Sequence, residues 1–246
     1  MNRCALVILS LMQFAPLAVA QDIPAENKKP VYKTAAYKIE VGASRIIYHE
    51  KDKGAVLTIT NPQDFPVLVQ SQLTNIDNKA ESAFMVTPPL FRLEANQKGK
   101  VKIVKILDSL PADREFMQWL CVQAIPPKDD EDSNGDIVQV NVSMSLSLCN
   151  KILYRPDSIK GTPVDDASKI TWESTGKSVI AKNPTPFYMN LHKVSIDGKA
   201  ISEPGYIAPF SQVEYKNGNV NAGRAEWSII NDYGGHSDKF TSTVTK

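Results

Sequence analysis

Three observations predict an all-β chain made of two β-sandwich domains. Apolar residues recur at every second position in short runs bounded by Pro, Gly, Asn and Asp, as pleated strands with one buried face require. No stretch has the period of an amphipathic helix. A polar segment holding glycine and proline, SIKGTP over 158–163, separates a longer set of runs from a shorter one. The first domain is therefore placed at residues 21–157 and the second at 158–246.

Tyr37, Ile39 and Val41 alternate ahead of a break at Gly42, and SRIIY over 44–48 resumes as a strand. Further strands are expected over 55–60 and 67–73, joined through the turn Asn61-Pro62-Gln63-Asp64. VTPPLFRL contains Pro88 and Pro89, which have no N–H to give a ladder and so mark a sheet edge. A turn over 96–99 leads into a strand over 101–106. The next strand covers 116–125, carries Trp119 and Cys121, and stops at Pro126-Pro127. Past the divide, short strands are expected over 170–172, 178–181, 188–196, 212–215, 226–231 and 240–244, between Asn-Pro, Asp-Gly, Asn-Gly and Gly-Gly turns.

The longest alternating run is DIVQVNVSMSLSLCNKILYRP, over 136–156. Val138, Val140, Val142, Met144, Leu146 and Leu148 share one face; Gln139, Asn141, Ser143, Ser145 and Ser147 share the other. At ~3.3 Å per residue the alternating part spans roughly 35 Å, about twice a usual strand. A strand of that length outruns its own domain, and its surplus apolar face is expected to meet another protein. The acidic loop KDDEDSNGD before it exceeds the roughly two to five residues of a common hairpin turn. That length is consistent with a projecting hairpin.

The chain begins MNRCALVILSLMQFAPLAVAQD. Arg3, the apolar run from Ala5 to Val19 and the pattern Ala18-Val19-Ala20 predict a secretory signal peptide over residues 1–20. Gln13 and Pro16 interrupt the roughly 20 apolar residues that a membrane anchor needs, and no membrane insertion is expected. A polar leader follows over 21–30. Cys4 leaves with the signal, so Cys121 and Cys149 remain as a pair in an oxidising compartment. Formal charge is +1, and losing Arg3 brings it to zero, which argues against a nucleic-acid partner. His49, His192 and His236 have no ligand spacing, so neither metal nor cofactor is expected. No Ser-His-Asp set or phosphate-cradling loop stands out, and no catalysis is expected.

Several blocks together resemble one family. LCNKILYRP (148–156), TPPLFRL (87–93), WLCVQAIPP (119–127), NPTPFYMNL (183–191), APFS (208–211) and WSIINDYGG (227–235) are similar, in order and spacing, to the periplasmic pilus chaperones of the PapD-like family. The cysteines flanking a long loop resemble its subclass with an extended F–G loop. The resemblance implies two immunoglobulin-like domains set like a boomerang and a location in the periplasm. It also implies a function in fimbrium biogenesis. The chaperone lends a strand to a fimbrial or capsule-like adhesin subunit whose own fold is incomplete, and an outer-membrane usher then receives the subunit. Self-association of the free chaperone through the same strand is a further expectation.

By that resemblance Arg45 and Lys151 occupy a cleft and anchor the subunit's C-terminal carboxylate. Val138, Val140, Val142, Met144 and Leu146 form the donor strand; Leu148 is assigned to the chaperone's own core. Tyr37, Ile39 and Val41 are expected to extend the donor surface. A Cys121–Cys149 disulfide ties the base of the hairpin. Glu115, Arg155 and Asp232 form an interdomain charged triad. The alternative is a secreted immunoglobulin-like adhesin or structural module that uses the same strand in a permanent assembly.

Overall fold

A computed structural model of the chain describes residues 31–75, 82–125, 139–216 and 223–246. Period-two alternation becomes strand there because side chains pointing alternately up and down can bury one face only on an extended, paired backbone. The first eleven strands are β1 (Val31–Tyr37), β2 (Glu40–Val41), β3 (Arg45–His49), β4 (Ala55–Thr60), β5 (Val67–Thr74) and β6 (Phe84–Thr87). They continue with β7 (Leu90–Leu93), β8 (Lys98–Lys105), β9 (Phe116–Ile125), β10 (Gln139–Ser145) and β11 (Ser147–Arg155). A five-stranded sheet in the order β3-β11-β9-β5-β7 and a four-stranded sheet β2-β4-β8-β6 bury their inner faces in one core. Leu57, Ile59, Val69, Ile103, Leu120 and Ile152 are fully enclosed there. Pro88 and Pro89 stand where the chain leaves the edge of one sheet, β6, for the edge of the other, β7.

The second sandwich holds a one-turn helix α1 (Pro163–Asp166) and strands β12 (Thr171–Ser174), β13 (Val179–Asn183), β14 (Met189–Ile196) and β15 (Lys199–Ile201). After these come β16 (Tyr206–Ile207), β17 (Ser211–Tyr215), β18 (Gly223–Ile229) and β19 (Phe240–Thr245). Its sheet runs β15-β14-β18-β19-β12-β13-β17, with β16 also on β14. Trp172 and Trp227 meet at 5.5 Å in the core, and the Trp227 indole N–H donates to the Ala167 carbonyl at 3.2 Å. β15, β16 and α1 escaped the sequence pattern because two to four residues are too few to display a period.

Both sandwiches pin a loop with the same device. The Asn61 amide donates to the carbonyls of Phe65, Leu93 and Glu94, and its oxygen accepts from the Gln63 N–H. Asn183 does the same with Phe187, Ile207, Ala208 and the Thr185 N–H. A buried asparagine satisfying three carbonyls replaces the ladder bonds that each Asn-Pro turn gives up.

Two expectations need correction. The run over 136–156 is not one continuous strand: it breaks at Leu146. β11 enters the five-stranded sheet, whereas β10 leaves it and pairs in parallel with β1 alone, with Thr34 opposite Val142 and Ala36 opposite Met144. The sheet has only the width of its own core to cover, and the surplus length needs another partner. Nor do Tyr37 and Ile39 extend an exposed surface; they are buried in the first core, with Val41 packed against it. Seven residues upstream of Lys38, with no clear alternation, supply the accompanying strand instead.

Removing core volume from β9 should be far more costly than altering the outward face of β10. Leu120→Ala is expected to lower unfolding free energy by about 2–5 kcal/mol, and Met144→Thr by under about 0.5 kcal/mol, both read from urea titrations. Equal losses would place the Met144 face inside the chain's own core.

Candidate functional site

β11 carries two rows of side chains. Leu148, Asn150, Ile152 and Tyr154 face the sandwich core, while Cys149, Lys151, Leu153 and Arg155 face outward. Leu148 packs against the first core, as the sequence suggests. The parity of the inner row continues upstream through Leu146, Met144 and Val142, beyond the sandwich. There the row is exposed among the described residues: Val142 is 41% exposed, Met144 53% and Leu146 57%. Val140 lies in β10 but its side chain, like the whole of Val138, is outside the described residues. β1 occupies one edge of β10; among the described residues no strand occupies the other.

The outer row makes the rest of the site. Cys149 sits directly opposite Cys121 on β9, and the two are joined by a disulfide with S–S 2.01 Å. Lys151 is flanked by Trp119 of β9 on one side and Arg45 of β3 on the other, in register. Leu153 and Met117 form an apolar floor with Tyr188 of the second domain; Ile47, Trp119, Tyr206 and Ala208 pack around it. Burial, then the nearby Arg45 charge, lowers the Lys151 pKa to about 8. Burial also lowers Arg45 from its ordinary value, against the opposing pull of Asp232 and Glu115. One Arg45 N–H donates to the Ile230 carbonyl at 3.2 Å, while its buried Nε has no partner.

Arg155 ends the row and spans the two domains. Its guanidinium donates to Glu115 at 2.8 Å and grips both oxygens of Asp232 at 2.7 and 2.9 Å. The other Glu115 oxygen accepts the Tyr188 N–H at 2.7 Å, and the Arg155 guanidinium lies over the Phe187 ring. Burial pushes the Glu115 carboxyl up despite the neighbouring guanidinium. Arg155, although desolvated, is held above its ordinary value by Asp232 and Glu115. Gly234, in the loop after Asp232, has φ +85°, and a Cβ there would stand 2.4 Å from the Ser44 hydroxyl. A side chain at this left-handed position would be strained and would crowd Ser44, just ahead of β3.

The cleft therefore assembles three cations against two carboxylates, and Arg155 satisfies both carboxylates. Arg45 and Lys151 are left facing a partly desolvated groove, an arrangement that favours an incoming anion. Tyr206, Asn190 and Ile230 complete the cleft, and sequence reasoning assigned them nothing. Asn190 lies within a block that resembles the family, but only folding shows that it touches Lys151. His192 and His236, scattered in the sequence, stack with ring centroids 3.8 Å apart. Among the described residues no group of three or more His, Cys, Asp or Glu could hold a metal. No helix among them is long and apolar enough to cross a membrane.

Residues 38–160 match the family model described as pili and flagellar-assembly chaperone, PapD N-terminal domain, and residues 165–241 match that of the pili assembly chaperone PapD C-terminal domain. The chain is 38% identical to the chaperone protein AggD of Escherichia coli, over 95% of this chain and 93% of that one. It is 36% identical to the chaperone protein PsaB of Yersinia pestis, over 96% and 93%. Among solved structures, the E. coli chaperone DraB superposes with a TM-score of 0.77 at 41% identity, covering 87% of this chain and all of that one. The Salmonella enterica SafA pilin in complex with the SafB chaperone gives 0.79 at 39% identity, with the same coverage.

Arg155→Ala should leave Glu115 buried without its cation and cost about 3–5 kcal/mol in denaturant unfolding. Adding Glu115→Gln to that variant should recover part of the loss. A variant as stable as the parent would make the network dispensable to the fold.

Proposed function

Because this chain belongs to the PapD family of pilus and flagellar-assembly chaperones, we propose that it lends β10 to an incomplete fimbrial subunit and holds the subunit's C-terminal carboxylate in the cleft. It is a chaperone of fimbrial assembly and not an enzyme. The observation that carries the donor-strand reading is the uncovered apolar row of β10 continuing the core-facing row of β11. A strand with one free edge offers main-chain donors and acceptors to any extended partner, and its alternate side chains enter pockets at a ~7 Å repeat. Burying four of Val138, Val140, Val142, Met144 and Leu146 contributes ~6–12 kcal/mol gross, before ordering and association costs.

Arg45 and Lys151 are assigned to the carboxylate. The unpartnered Arg45 Nε and the desolvated Lys151 ammonium support this, since each gains a charge-assisted hydrogen bond worth ~1.5–3 kcal/mol. Glu115, Arg155 and Asp232 are assigned to fixing the domains relative to one another. The reading extends to a signal peptide over residues 1–20, domains at 21–157 and 158–246, and action in the periplasm. It includes delivery of the subunit to an outer-membrane usher. The Cys121–Cys149 pair supports membership of the subclass with an extended F–G loop, whose products are fibrillar or capsule-like. Self-association of the free chaperone through β10 is compatible with this reading. A permanent adhesin module has less support, because the relatives matched over nearly the whole chain are chaperones.

Periplasmic co-expression with the subunit from the same operon tests the assignment. Lys151→Ala should give a folded, exported protein that no longer protects subunit from proteolysis. Val142→Asp combined with Met144→Asp should fail in the same way, by placing charges where apolar pockets are expected. Normal subunit yields from both would refute the assigned surface.

Subunit affinity should also fall as pH rises through about 8, where Lys151 loses its proton. The sign for the free protein is opposite. Between about 8 and the ordinary lysine value the unfolded chain binds more protons, so this group's contribution to stability rises with pH over that window. Calorimetric titrations at pH 7 and pH 9 read the first effect; affinity unchanged between them would remove Lys151 from the anchor.

A further inference from the structure

Lys151 is held by two cross-strand pairs, one from each domain. Its own partner across the sheet is Trp119, whose ring centroid lies 5.3 Å from the ammonium. From the second domain, Asn190 of β14 and Tyr206 of β16 are themselves register partners and face the ammonium together. The Tyr206 ring centroid is 4.7 Å away, and the ammonium donates to the Asn190 side-chain oxygen. Asn190 is only 2% exposed, and its amide nitrogen donates to the Tyr188 carbonyl at 3.3 Å. Its main-chain carbonyl accepts the Ile230 N–H at 2.8 Å, and the Ile230 carbonyl in turn accepts from Arg45. Asn190 thus touches Lys151 directly and is linked to Arg45 through a single intervening residue, Ile230.

All of these contacts with Lys151 are uncharged. An amide dipole and two ring quadrupoles hold a cation on its flexible four-carbon stem without neutralising it. A carboxylate at position 190 would hold it equally well but would cancel the charge a ligand needs. The choice of neutral partners matters because Arg45 is the next charge along, and repulsion would otherwise drive the ammonium out toward water.

We infer that the Asn190–Tyr206 pair of the second domain is the positioning element of the anchor, holding the Lys151 ammonium in the cleft with its charge free for a carboxylate. The inference rests on the carboxylate reading above. It assigns the second domain a direct part in binding strength, beyond setting the angle of the cleft.

The test uses the purified full chain and a probe peptide of alternating valine and threonine, ended either in a free carboxylate or in an amide. Lys151 titration is followed by NMR of labelled lysine. Wild-type protein should prefer the acid over the amide and titrate near 8. Asn190→Asp should raise that midpoint and abolish the preference. Tyr206→Leu should weaken the acid about three- to tenfold, the range of a partly desolvated cation–ring contact, and leave the amide unaffected. Tyr206→Phe, which keeps the ring, should restore binding. If the wild type does not distinguish acid from amide, the carboxylate reading itself fails. If it does, but Asn190→Asp keeps both preference and midpoint, or Tyr206→Phe is as impaired as Tyr206→Leu, only the positioning inference is overturned.

Discussion

The alternation of β11 is the constraint on which the rest of the molecule depends. One strand of nine residues has two faces and both are committed. The inner row, through Ile152 and Tyr154, is locked into the first core. That burial fixes the register of the whole strand, because a slip of one residue would exchange the two rows. Lys151 and Arg155 then have no freedom to point anywhere but outward, into the space between the domains. The disulfide to β9 clamps the same register at the upstream end.

Charge placement follows from that geometry. Arg155 is desolvated enough to make an unpaired charge costly, and two carboxylates from different parts of the chain close on it. Glu115 comes from the stretch before β9, and Asp232 from the loop after β18, so satisfying one guanidinium joins the domains. Lys151, four residues away on the same face, is given only neutral partners. The difference between the cation that joins the domains and the one proposed to hold a carboxylate thus lies in the charge of what surrounds each one.

The apolar row offers the complementary lesson. Within the sandwich it is a core, and beyond Leu146 the same parity becomes a surface that no other part of the chain covers among the described residues. An isolated two-stranded ribbon such as β1 with β10 is marginal in water. A third strand from elsewhere would supply both the missing hydrogen bonds and the missing apolar contact.

Much of this was legible in order of residues alone. Strong alternation located β4, β5 and β9 nearly to the residue, and the amphipathic run over 136–156 pointed to an unburied apolar face. Alternation is a local property, and local properties are what a linear sequence records. The sequence did not indicate that the run would break at Leu146, that residues 31–37 would accompany β10, or that Tyr37 and Ile39 would turn inward. It also could not bring Asn190 and Tyr206 to Lys151, because that contact depends on how two separately folded sandwiches pack. Strand identity and the sidedness of each strand belong to the sequence itself; which strand pairs with which, and which neutral groups surround a buried cation, are settled only when distant segments compete for the same space.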